Sequence, residues 1–426
     1  MSQPITLGNW KLNPASGEYE SGYNGLPAGQ IAVVGSGFGS KPYSTPITWE
    51  TFNGTDGQLV SAYNADWVGY NGNDGGLIST LNPRFAGHKS AYNVATRNQF
   101  DTNYKTNTAR KSRTRYLSYY TRVNYREDLE EGQIKFARIS TSVASGGGGV
   151  YNGVGVQTLN APAPKSTQAG WSGSNGAFNS PGYLNSAWYP DNRWIRVEYE
   201  VYLSDLDVSN GFYNIHCAHQ GSLLSGNIMQ RFSGHSADNY LLDTTLLGIE
   251  TVNTETWVTP NVLTPSTTYT VTVIKSGTTY IGTYTSGGSV PTAEQIIDGI
   301  EASILVAGLP PADVHTNPAN TGEIGFYWNT TVTYTPNMSR TNPMSVQQSE
   351  TYEDDDFKRF YIGDADSWAA CTESNPQPYT AWSDTYVQLI KYVGAISGRT
   401  WLYKQLTPNS TPVRVGEVVG DEIIYG

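Results

Sequence analysis

From Trp194 to Leu203 the chain alternates without a break. Ile195, Val197, Tyr199, Val201 and Leu203 fall on one side, and Trp194, Arg196, Glu198, Glu200 and Tyr202 on the other. Successive side chains of a strand point to opposite faces, so a sustained two-residue period means a strand with one apolar and one polar face. A helix would repeat its apolar positions every three to four residues and is excluded here. Arg115–Tyr125 carries the same signature, with Leu117, Tyr119, Thr121, Val123 and Tyr125 opposed to Tyr116, Ser118, Tyr120, Arg122 and Asn124. Gln133–Ile139 reads as a further strand, and Gly211–His219 as another after the turn-forming Ser209-Asn210-Gly211.

The rest of the chain agrees with this strand-dominated reading. Its 426 residues include 30 Tyr, 11 Trp and 11 Phe with 45 Gly and 22 Pro, residues that suit pleated surfaces and the turns between them. Charged residues make up only 15%, and the polar surface is built from Ser, Thr, Asn and Tyr instead. A net charge of −11 argues against general nucleic-acid binding, which needs a basic footprint. MSQPITLGNWKLNP lacks the basic start and apolar core of a secretory signal, and no apolar run approaches the roughly 20 residues of a membrane span. The expectation is a chain made in a cytoplasm, without a signal peptide or membrane insertion, yet composed like a surface protein. Cys217 and Cys371 are expected as free buried thiols, with one long-range disulfide between them as the alternative, and no metal-binding pattern or cofactor motif can be built from the sequence.

Residues 1–30, rich in Gly, Pro, Asn and Tyr, read as an N-terminal arm. Ile31-Ala-Val-Val-Gly-Ser-Gly-Phe-Gly39 is an apolar strand entering a Gly-rich turn. It is not a dinucleotide fingerprint, because Ser40 stands at the third glycine position and the proline-bearing Lys41–Pro46 cannot open a helix. The phrase IAVVGSGFGSKP resembles the opening of plexin-type (IPT/TIG) immunoglobulin-like domains. The strands of 358–426, with Trp382-Ser-Asp-Thr385, resemble the second half of that family. Together they imply an immunoglobulin-like β-sandwich split between 31–48 and 358–426. The order RYLSYYTRVNYREDLEEGQIKFARI, a Gly-rich stretch, then NRWIRVEYEVYLSD and NGFYNIHCAHQG resembles the concanavalin A-like lectin/glucanase jelly roll, including its polysaccharide-lyase and glycan-binding branch. That jelly roll is expected over 49–350.

Within it, 262–312 reads as a small βα insertion. Thr292 and Gln295 have the spacing of a capping box, Ile296, Ile300 and Ile304 with Ala293 and Ile297 form one apolar stripe, and Gly308 ends the helix. The pattern up to TAEQIIDGIEASI is similar to a module of phage tail and virion proteins. The fold class expected is therefore mainly β: a jelly-roll sandwich with a βα insertion and a split immunoglobulin-like sandwich.

Chemistry is less clearly written. No G-x-S-x-G nucleophile elbow occurs. His216 and His219, three apart on one strand, point to opposite faces and do not chelate one metal together. His88, His235 and His315 stand alone. Glu198 and Glu200 share a strand face but lack the third acid of a jelly-roll glucanase strand. A lyase would need a base and cations beside a uronate, for which Tyr116, Tyr120, Arg122, Lys135, Arg138, Arg196 and His216 are the residue types available. Glycan binding asks for aromatic faces and planar polar groups, and Tyr116, Tyr120, Arg122, Trp194, Arg196 and Tyr202 supply them. Lys105–Arg126 holds seven Lys/Arg and no acid, which reads either as an anionic-glycan or partner site or as a solvated face. Glu353-Asp-Asp-Asp356 reads as a solvated linker rather than a calcium loop. With no catalytic residue assigned, the resemblances imply a virion surface protein (fibre, spike or capsid decoration) that binds glycans. Its partners would be other virion proteins and cell-surface or anionic glycans. A jelly-roll polysaccharide lyase and a purely structural subunit are the alternatives. No heptad run sets an oligomeric state, so a homo-oligomer is left open.

Overall fold

The computed structural model describes residues 10–13, 18–21, 26–69, 75–94, 100–124, 133–140, 153–159, 166–172, 178–179, 183–184, 193–205, 208–217, 223–228, 241–252, 256–317, 320–327, 330–341 and 345–425. Antiparallel sheets dominate. A front sheet runs in the order Leu223–Ile228, Gly211–Cys217, Ile195–Tyr202, Thr114–Asn124, Ser345–Asp354, Ser90–Val94 and Leu77–Ser79, with Thr48–Glu50 also paired to Ser345–Asp354. A back sheet runs Phe178–Asn179, Ser166–Ser172, Gly153–Leu159, Gln133–Ser140, Thr244–Val252, Phe100–Thr106 and Val68–Gly69, with Tyr183–Leu184 on Ser166–Ser172.

The inner faces meet in one core. Leu117, Tyr119, Val123, Val197, Tyr199 and Val201 from the front sheet pack with Ala137, Ile139 and Leu247 from the back sheet. These front-sheet residues are the apolar set of the alternation, so the pleat decides which side chains leave water. Two tyrosines can sit in this core because their hydroxyls meet at 3.1 Å, which leaves neither polar group unpaired. Tyr125, His219 and His235 lie outside the described residues.

The helix-bearing unit is larger than 262–312. Thr268–Lys275, Thr278–Thr285 and Thr330–Tyr334 form a three-stranded sheet, and Val314–Asn317, Asn320–Phe326, Thr256–Pro260 and Met338–Thr341 a four-stranded one. Helix Ala293–Val306 supplies Ile296, Ile297, Ile300 and Ile304 to a core shared with Val271, Val273, Ile324, Phe326 and Met338. The strands after the helix are short and Thr-rich, so no clear period marks them in the sequence. The capping box is present: Gln295 N–H donates to Thr292 Oγ1 at 3.2 Å, and Thr292 N–H donates to Gln295 Oε1 at 2.9 Å. Gly308 sits at φ 93°, where a side chain would be strained, and ends the helix.

The two ends of the chain share one unit. Gln30–Val34 pairs antiparallel with Tyr386–Ile390, which also pairs with Tyr379–Trp382. A five-stranded sheet, Ser374–Pro376, Arg359–Gly363, Thr400–Gln405, Val413–Val419 and Glu422–Tyr425, faces this group across Ile31, Val33, Phe360, Ile362, Val387, Leu389 and Leu402. Residues 1–30, expected as an extended arm, include the strands Trp10–Asn13 and Glu18–Ser21, which pair with each other as an antiparallel ribbon. Both cysteines are free and buried. No described helix is long and apolar enough to cross a membrane.

Candidate functional site

The outward face of the front sheet is the polar half of the alternation. Its register puts Tyr116 beside Glu200, Ser118 beside Glu198 and Tyr120 beside Arg196. His216 and Asn214 from the next strand flank Glu198 and Glu200. A glycan face would have to be open, but this one is covered. The outer face of the terminal five-stranded sheet lies against it, and Tyr116, Tyr120, Arg196, Glu198 and Glu200 are all buried.

Two carboxylates organise the joint. Glu198 Oε1 accepts from Tyr116 Oη at 2.8 Å and from Tyr361 Oη at 3.2 Å, Arg196 Nη2 stands 3.0 Å from the same oxygen, and His216 Nε2 contacts Oε2. Glu200 Oε1 accepts from Arg359 Nη2 at 2.6 Å and Gln405 Nε2 at 3.3 Å. Its Oε2 accepts from Asn214 Nδ2 at 3.1 Å and from the Asn409 N–H at 2.7 Å. Arg359 also lies 3.9 Å above the Tyr116 ring. Beside this pair, Tyr120 Oη donates to Glu373 Oε2 at 2.7 Å and lies 3.1 Å from Ser374 O, under the Arg84 guanidinium at 3.7 Å.

Burial works against the charge on Glu198, but Arg196, then His216 and Arg359, outweigh it and hold the carboxyl well below its usual range. Burial, reinforced by Glu198, pushes the Tyr116 hydroxyl well up, and burial pushes Tyr361 up as well. Both phenols are therefore proton donors at neutral pH and poor bases. Arg196 is held charged because Glu198 and the surrounding tyrosines outweigh its burial. Among the described residues, its Nε and Nη1 nonetheless have no hydrogen-bond partner.

The remaining residues expected at the site are dispersed. Arg122 is half-buried and donates to Gln347 Oε1 at 3.3 Å. Trp194, also half-buried, donates to Asn82 O at 2.9 Å and stands edge-on to His88. Tyr202 stacks on Phe212 with ring centroids 5.9 Å apart. The His216 side chain keeps 24% of its surface in solvent, at the edge of the joint. Lys135 and Arg138 belong to the back sheet, in the strand Gln133–Ser140, and their side chains lie outside the description. They do not share a sheet with the others because the chain changes sheets after Asn124.

Two charge anomalies of the sequence meet in part, through Arg110 and Arg115. Arg110 pairs with Asp355 at 2.7 Å and with Asp354 at 3.5 Å, and Arg115 with Glu353 at 3.4 Å. Lys105 meets Asp66 at 3.0 Å, Lys111 meets Asp243 at 3.2 Å, and Arg113 meets Asp205. The stretch 105–115 is thus neutralised from within rather than offered to an anionic ligand. Glu353 and Asp354 are buried, so the acidic run is a core of the joint and not a solvated linker. Sequence reasoning missed Arg359, Tyr361, Glu373 and Gln405. The available signal was the alternation of Arg359, Tyr361 and Gly363 with Phe360 and Ile362, a strand with bulky groups on both faces. Among the described residues, no group of three His, Cys, Asp or Glu is placed to hold a metal ion.

No protein-family model matches the chain, and no curated protein matches it in sequence. Among solved structures, the alginate lyase Aly36B is similar at 11% identity and TM-score 0.37, over 77% of this chain and 98% of its own. The alginate lyase vAL-1 from Chlorella virus is similar at 10% identity and TM-score 0.31, over 49% of this chain and 99% of its own. The CBM2 module of the evolved Dit protein of Lactobacillus casei BL23 phage J-1 is similar at 11% identity and TM-score 0.26, over 53% of this chain and 90% of its own. The chain is a predominantly antiparallel β protein built on a jelly-roll-like sandwich.

Proposed function

We propose that this chain is a non-catalytic surface subunit of a phage particle, a fibre, spike or capsid decoration, that holds a lectin-like sandwich on a terminal β-sandwich and adheres to glycans. The observation that carries the non-catalytic part is the burial of Tyr116, Tyr120, Arg196, Glu198 and Glu200 under Arg359, Tyr361 and Gln405. A polymer chain has no access to reacting groups held in this way, and both carboxylates already accept from several protein donors. Adhesion falls to the end of the same sheet where half-buried Arg122 and Trp194 bring a planar cation and an aromatic ring. The other partners in this reading are neighbouring virion proteins, with neither nucleic acid nor membrane insertion. It places the chain on the virion surface.

A second reading, a polysaccharide lyase, is favoured by one feature: the partly exposed His216 joined to Glu198 and, through it, to Tyr116, Tyr361 and Arg196. A panel of anionic and neutral polysaccharides, alginate included, separates the two. Saturable binding with unchanged polymer length, weakened by Trp194→Ala, supports adhesion. Ultraviolet absorbance of unsaturated uronate products, lost in His216→Ala, supports the lyase. Neither signal leaves a structural subunit.

A further inference from the structure

Lys41 and Asp354 are both without solvent exposure, and Lys41 Nζ stands 2.5 Å from Asp354 Oδ2. Lys41 follows the first strand of the terminal unit, and Asp354 ends the last strand of the front sheet. The amine is enclosed by aromatic rings, 4.3 Å from the centroids of both Tyr379 and Trp382. A contrast is present in the same chain. Lys275 meets both oxygens of Asp313, but its side chain retains 24% of its exposure and water screens the pair.

The surroundings of the two Asp354 oxygens differ in a way that an ion pair does not require. Oδ1 accepts from the Asp355 N–H at 2.8 Å and from Tyr379 Oη at 3.3 Å, and Arg110 Nη2 lies 3.5 Å away. That is a set of donors converging on one oxygen, the arrangement that stabilises the oxyanion of acyl transfer. Oδ2 instead faces the amine and accepts from Tyr352 Oη at 3.0 Å, a hydroxyl placed to assist its departure. Burial is the largest influence on both groups and drives them toward neutrality, lowering Lys41 and raising Asp354. A neutral amine is a nucleophile and a protonated carboxyl an electrophile, so burial favours the proton transfer along the contact that yields both.

We propose that Lys41 and Asp354 join in an intramolecular isopeptide bond that fastens the N-terminal strand segment to the last strand of the jelly roll. One proton passes from Lys41 to Asp354 along the contact, leaving amine and acid. The Nζ lone pair attacks Cγ and forms the C–N bond. The negative charge collects on Oδ1 under its donors. The Cγ–Oδ2 bond then breaks, and the hydroxyl departs with a second amine proton as one water. No oxidant, metal or cofactor takes part, since the reaction is a dehydration in which no atom changes oxidation state. The resulting amide closes a covalent loop from Lys41 to Asp354, which contains the whole sandwich.

Intact-mass spectrometry of the purified, denatured full chain tests this directly. The expected mass is one water below that calculated from the sequence. Proteolytic mapping is expected to show the peptides bearing Lys41 and Asp354 as one branched species, and Lys41→Arg to return the full mass. A wild-type mass equal to the calculated value overturns the proposal. So does a one-water loss with the two peptides separate, which is the mark of a cyclic imide. Because the wild-type map decides by itself, failure of the Lys41→Arg chain to fold leaves the test intact.

Discussion

Arg359 and Glu200 meet at 2.6 Å with no solvent exposure on either side chain, one on the terminal sheet and the other on the jelly-roll sandwich. Removing one partner strands the other charge in a dry joint, which generally costs about 3–5 kcal/mol. Arg359→Ala is therefore expected to lower the urea midpoint strongly. Arg359→Met with Glu200→Gln should cost much less than the sum of the single changes, because neither charge is then left behind. Equal additive losses would show that the pair does not hold the two units together.

His88 is expected to make stability depend on pH above the carboxylate range. Its Nδ1 accepts from the Arg84 N–H at 3.1 Å, so a proton there would oppose a donor. Burial first, then the Arg84 charge, lowers His88 to about 4 from the usual 6.5. The sign follows from the neutral form being the one that fits. Stability is complete above about pH 6.5 and is lost as the pH falls toward about 4. Wild type should lose about 2 kcal/mol between about pH 7 and pH 5, and His88→Asn should lose clearly less. Denaturant curves at the two pH values measure the difference.

The helix-bearing unit offers a comparison of a cap with a close approach. Thr292→Ala removes one side-chain acceptor and should cost about 1 kcal/mol. Gly282→Ala places a Cβ 2.8 Å from the Ile300 carbonyl oxygen, a backbone atom of the helix that cannot swing aside. The expected cost is about 1–3 kcal/mol, the larger of the two. Thermal melts of the full chain rank them, and a harmless Gly282→Ala would mean that the helix does not lie this close to Thr278–Thr285.

How much was legible follows from which interactions are local. The inward sets at Leu117–Val123 and Ile195–Leu203, and the Thr292 cap, are written in near-neighbour spacing, and the structure places them as the spacing predicts. Period two also puts Tyr116, Tyr120, Arg196, Glu198 and Glu200 on one outward face, yet the exposure of that face is not written in it. Tyr116 is covered by Arg359 and Tyr361, some 240 positions away, and period two marks a polar face without saying what lies on it. Lys105–Arg126 and Glu353–Asp356 were likewise visible as opposite anomalies. Their pairing depends on Ser345–Asp354 lying beside Thr114–Asn124 in the sheet, a register that no local pattern encodes.

Glu198 provides the acid counterpart of His88, in a separate window. Its carboxyl is depressed in the folded chain, since Arg196, His216 and Arg359 together outweigh its burial. A depressed carboxyl stabilises the fold above its unfolded value, near 4.3, and that contribution disappears as the pH falls through the lower folded value. Acid unfolding of the wild type below about pH 4 should therefore include a step tied to this joint. Glu198→Gln is expected to be less stable at neutral pH, because Arg196 loses its counter-charge, and to show a shallower acid limb. Tryptophan fluorescence of both chains, followed from neutral to acid pH, reads the effect, with Trp368 standing against Tyr361 as a reporter. Parallel acid limbs would remove Glu198 from the charge balance that docks the terminal sheet.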